Sequence, residues 1–188
     1  MNIHQEAMRI VFRAQEGTAP TKAECAFLLD LPEASFEAGI LKAAADAISR
    51  EKFGNRGILL GQIGVEMGCF QHAAMRRVYV PSSPLAHLGQ ITERRLAQVV
   101  AVVALATLNV PETRSIAVHE PNLLGLAAGA NTVYAETGSN PRDTAAETSG
   151  HRGLDMPGCR KMAYEAGFGS VLLGDQTSRP LTHISAGE

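Results

Sequence analysis

From residue 57 onward the chain alternates. Short apolar runs rich in β-formers, at 57–67, 75–80, 115–118, 131–135 and 170–174, are separated by helical segments at 93–108, 123–128 and 156–166. Strands that return through helices lie parallel, because a parallel return needs a crossover connection rather than a tight turn. The expected class is therefore α/β. A closed eight-stranded barrel needs roughly 200 residues or more for the barrel alone, and the chain has 188 in all. The spacing thus predicts a shortened, partial TIM-type barrel or an open parallel sheet.

Residues 1–56 read as an N-terminal helical layer in front of this region. Met8, Val11 and Phe12 recur at helical spacing ahead of a break at 17–20. Thr21-Lys-Ala-Glu24 has the form of a capping box, with hydroxyl and carboxylate each satisfying a free backbone N–H. A short helix should follow with Cys25, Leu28 and Leu29 inward. Pro32 is expected to open a longer helix, with Phe36, Ile40, Ala44 and Ile48 as its buried stripe and 52–57 closing it. Thr92 is the expected N-cap of the apolar helix at 93–108, and Glu93 suits its positive end. Gly129 and Gly167 should close the two later helices. The expected organisation is a helical layer at 1–56, a partial barrel-like region at 57–175 and a frayed tail at 176–188, together one structural domain.

Composition removes several classes of function. Seventeen basic against 19 acidic residues leave a net charge of -2, which argues against a dedicated nucleic-acid binder. There is no Trp, and aromatics make up 5%, so base-stacking or sugar-binding platforms are poorly supplied. Three widely spaced cysteines, Cys25, Cys69 and Cys159, make no disulfide framework and point to a reducing, cytoplasmic setting. The first 13 residues lack a continuous apolar core, and 96–108 is too short to span a bilayer, so neither a secretory signal nor a membrane span is expected.

Parallel sheets bind ligands at the carboxyl ends of their strands. Two polar clusters fall there. His119, Glu120 and Asn122 follow one strand; Glu136, Asn140, Arg142 and Asp143 follow the next. Imidazole, carboxylate, amide and guanidinium together suit a small polar molecule such as an amino acid, a carboxylate or a ribose. The same residues also fit a purely structural role, with Asn122 and Asp143 capping helices and Arg142 paired to Glu136. No C-x-x-C, H-x-x-x-H, G-x-S-x-G, Walker loop or G-x-G-x-x-G occurs. Cys69 is a weak candidate metal ligand or reactive thiol, and a small buried hydrophobe is the better account of it. Cys159 sits near a helix start, where a thiol is acidified, or is a packing residue.

Three segments carry a likeness: Gly-Gln-Ile-Gly-Val-Glu-Met-Gly at 61–68, His-Glu-Pro-Asn-Leu-Leu-Gly-Leu-Ala-Ala-Gly-Ala-Asn at 119–131, and Ala-Glu-Thr-Gly-Ser-Asn-Pro-Arg-Asp at 135–143. With Gly158-Cys-Arg-Lys-Met and Glu165-Ala-Gly-Phe168, they resemble radical S-adenosylmethionine proteins of the biotin synthase type. The resemblance is nearest to the branch containing the iron-only hydrogenase cofactor maturases. It runs over 20–69 and 76–175 and is more specific in the second stretch.

That resemblance implies a [4Fe–4S] cluster on three cysteines in C-x-x-x-C-x-x-C, S-adenosylmethionine bound at the unique iron, and a radical made by its cleavage. Here the corresponding place reads Gly-Cys-Phe-Gln-His-Ala-Ala-Met-Arg-Arg at 68–77, with Cys69 and no second cysteine in reach. The middle of the barrel is also missing by comparison. His119, Glu120, Glu136, Asn140 and Arg142 match segments that would contact S-adenosylmethionine or substrate. The expectation is a degenerate relative without radical catalysis, binding a small polar ligand or a partner subunit, or a second copy of itself, with no cluster held within one chain. Two alternatives stand beside it. One is an iron–sulfur enzyme or cofactor-biosynthesis component whose cluster is completed in an oligomer. The other is a non-redox enzyme with His119 as base and Glu120 or Asp143 orienting it.

Overall fold

A computed structural model describes residues 2–60, 72–75, 92–119, 122–135 and 154–183, with 72–75 and 119 described as backbone. Helix α1, Ile3–Gln15, is capped by Asn2 and buries Ala7, Ile10, Val11 and Ala14. Phe12, expected on that stripe, is 53% exposed. It lies about 100° round the helix from Val11, past the edge of the buried face. Helix α2, Lys22–Leu29, carries the complete Thr21–Glu24 capping box. Leu28 is fully buried, with Cys25 and Leu29 packed at the margin of the core.

Helix α3 spans Phe36–Phe53 rather than opening at Pro32. The Ser35 hydroxyl accepts from the Ala38 N–H at 3.1 Å, so it is Ser35 that caps the helix. The buried face is Ala38, Leu41, Ala44, Ala45 and Ser49. Phe36 is 69% exposed, and Ile40 and Ile48 are half-buried, so of the expected stripe Ala44 alone is fully inside. The helix stops at Gly54, whose φ of 71° is left-handed.

Helix α4, Glu93–Ala106, has Thr92 as its N-cap and is buried along most of its length. Gln98 within it is 0% exposed. Its amide donates to the carbonyls of Leu28 at 2.7 Å and Leu31 at 3.0 Å, so it satisfies acceptors left free where α2 ends. The short α5 spans Leu123–Leu126 and α6 spans Met156–Glu165.

The strands are β1 Arg56–Leu60, β2 His72–Met75, β3 Ile116–His119, β4 Thr132–Tyr134, β5 Ser170–Leu173 and β6 Ser178–Pro180. They form one open sheet in the order β2-β3-β4-β1-β5-β6. All pairs are parallel except β5–β6. Of the two expected forms, the described residues make the open sheet: β1 lies inside, with β3 and β4 between it and β2, whereas consecutive strands of a barrel wall are neighbours. Strand β2 ends at Met75, where the sequence placed a start; 76–80 lie outside the described residues, as do 61–67 of the first apolar run.

The tail from Gln176 is not frayed throughout. Asp175 accepts from the Thr177 N–H at 2.9 Å and hydroxyl at 2.6 Å, which turns the chain back so that β6 pairs with β5. Leu181 beyond it is buried.

Residues from each of the six described helices form one apolar cluster with Leu59, Ile116, Val118, Val133 and Val171. The alternate strand positions Leu60, Ala117 and Tyr134 form a second, smaller cluster with Ile58 against it. The helices therefore cover one face of the sheet, and the two clusters follow the two-residue period of the strands.

Candidate functional site

The register brings three strand ends together. Leu59 of β1, Val133 of β4 and Val118 of β3 lie in one row across the sheet. One residue on, Leu60 pairs with Tyr134, and His119 ends β3 beside Met75 of β2. The Ala135 N–H donates to the Leu60 carbonyl at 2.8 Å, which carries the β1–β4 pairing one step further. The chain thus leaves β1 toward 61, β3 toward 120 and β4 toward 136 along one edge. These are the starts of the three segments that carry the resemblance. From β1 the chain passes out to β2, then returns stepwise through β3 and β4 and crosses past β1 to β5.

His119 is the last residue of β3 rather than the first of the loop. Three residues later Asn122, 5% exposed, caps α5: its side-chain oxygen accepts from the Gly125 N–H at 2.8 Å. Of its two expected roles, the structure shows the capping one. Helix α5 lies so close on β3 that a Cβ at Gly125 would come within 2.8 Å of a Val118 methyl. Glu120, Glu136, Asn140, Arg142 and Asp143 lie outside the described residues, as does Cys69.

Helix α6 starts at the same edge. Asp155 caps it through the Gly158 N–H at 2.8 Å. Cys159, 0% exposed, donates from its thiol to the carbonyl of Tyr134, the last residue of β4, at 3.6 Å. Here Cys159 packs the helix onto the strand end. Cys25 is half-buried in α2, and burial pushes its thiol pKa up, away from the thiolate a metal needs. Among the described residues no group of three His, Cys, Asp or Glu side chains could hold a metal ion. Cys25 and Cys159 therefore do not fit a three-thiolate cluster seat.

Part of the motif-bearing segment does structural work. Gly129 has φ of 111°, and its carbonyl accepts from the buried Ser49 hydroxyl at 2.6 Å. The Asn131 side-chain oxygen accepts from the Ile116 N–H at 2.9 Å, while its own N–H donates to the Ile116 carbonyl, also at 2.9 Å. Asn131 thereby aligns the starts of β3 and β4. Tyr134, not singled out by its sequence, is 3% exposed at the strand-end row, on the face opposite the described helices. The signal available was a tyrosine, one of three in the chain, at the end of an otherwise unremarkable strand.

The chain matches no family model, and no curated protein or solved structure shows a significant match to it. No helix of the described residues is long and apolar enough to cross a membrane.

Proposed function

We propose that this chain is a relative of the biotin synthase type of radical S-adenosylmethionine proteins that keeps a ligand-binding edge and lacks radical catalysis. The ligand is a small polar molecule of the S-adenosylmethionine class, with an amino-acid end and a ribose. His119, Glu120 and Asn122 approach it from the end of β3, and Glu136, Asn140, Arg142 and Asp143 from beyond β4. Arg142 pairs with the ligand carboxylate and the acidic side chains with its amino and hydroxyl groups. One observation carries the reading: the register that opens the three motif-bearing segments from adjacent strand ends. The absence of radical chemistry rests on the sequence, which has no C-x-x-x-C-x-x-C.

Among the described strands, β2 and β6 stand at the two ends of the sheet. Pro180 blunts β6, since it has no N–H to donate, so a second copy pairing along β2 belongs to the same proposal. Sedimentation should show a dimer at micromolar concentration, and a clean monomer removes that part.

Thermal shift with S-adenosylmethionine and 5′-deoxyadenosine tests the ligand. At about 100 times its dissociation constant a ligand adds roughly 2.7 kcal/mol, so Tm should rise by several degrees and the rise should shrink in Arg142→Ala. No shift with either compound at millimolar concentration overturns the ligand assignment. Anaerobic reconstitution with iron and sulfide should leave no bound cluster; four irons per chain held by the protein's own thiols overturns the non-radical reading.

A further inference from the structure

We draw no further inference here: the strongest candidate, the N-terminal turn of α6 at the carboxyl end of β4, where Asp155 caps the helix and the Arg160 Nε is buried without a partner among the described residues, carries nothing, because it belongs to the edge already described and no second observation there points to a ligand.

Discussion

Gly125 shows how a single missing Cβ sets the edge. The methyl of an alanine there would meet the Val118 side chain at 2.8 and 3.3 Å. Overpacking of this kind costs about 1–3 kcal/mol. Gly125→Ala should therefore lower the urea midpoint, and Val118→Ala in the same chain should recover part of the loss, because the two side chains share one space. Equal and additive losses would show that α5 is not seated on β3 as described.

Glu24 makes the clearest electrostatic prediction. Its carboxylate accepts from the Thr21 N–H at 2.8 Å and from the Thr21 hydroxyl, and it pairs with Arg9 at 2.7 Å and with Arg13. The Thr21 backbone bond is the largest cause, helped by the two arginines, and the carboxyl is lowered from 4.5 to about 2. A carboxyl more acidic in the folded state stabilises fully above its unfolded pKa and loses that contribution as pH falls toward the folded value. The relevant window runs from about 4.5 down to about 2. Urea midpoints measured between pH 7 and 3 should fall less steeply in Glu24→Gln than in the parent. The substitution should also cost about 1 kcal/mol at pH 7 through the weakened cap and partly solvated ion pairs. Parallel acid limbs would contradict this role.

At the scale of elements, what was legible followed from local chemistry. The Thr21 box and the Thr92 cap are written in adjacent residues, and both form where expected. The buried face of α3 was misplaced for a geometric reason. A strict four-residue repeat drifts about 40° per step round a helix, so Phe36, Ile40 and Ile48 rotate away from the core while the smaller Ala38 and Ala45 occupy it. Size misled as well, because this contact is tight: a Cβ added at Gly129 would lie 3.0 Å from the Ala104 Cβ of α4 and 3.1 Å from the Ala45 carbonyl oxygen of α3. Strand β6 was illegible because three residues, Ser-Arg-Pro, carry no two-residue alternation. Its existence depends on the turn at Asp175 and on a partner strand. Deleting 177–188 removes that pairing and the buried Leu181. The loss should be about 2–4 kcal/mol, as for a buried leucine cut back, read as a lower Tm. A frayed tail would leave Tm unchanged.

At the scale of the molecule, the sequence announced the parallel α/β class through its alternation of strand and helix, but strand order is a long-range property. Nothing in 57–67 says that the next strand lies three places away rather than beside β1. The candidate edge was legible as two clusters at strand ends, and the structure adds that the strands bearing them are neighbours, with β1 on the far side of β4. It also divides the motif-bearing segment 119–131: Gly125, Gly129 and Asn131 hold the fold, and Asn122 caps a helix. Ligand recognition in this account falls on His119, Glu120, the part of Asn122 not used in the cap, and the residues after β4.

The most direct test is hydrogen exchange followed with and without S-adenosylmethionine. The account predicts added protection in three separate stretches at once, 61–68, 119–122 and 135–143, with the rest of the sheet unchanged. Protection confined to one of them, or none at saturating ligand, would contradict a shared binding edge.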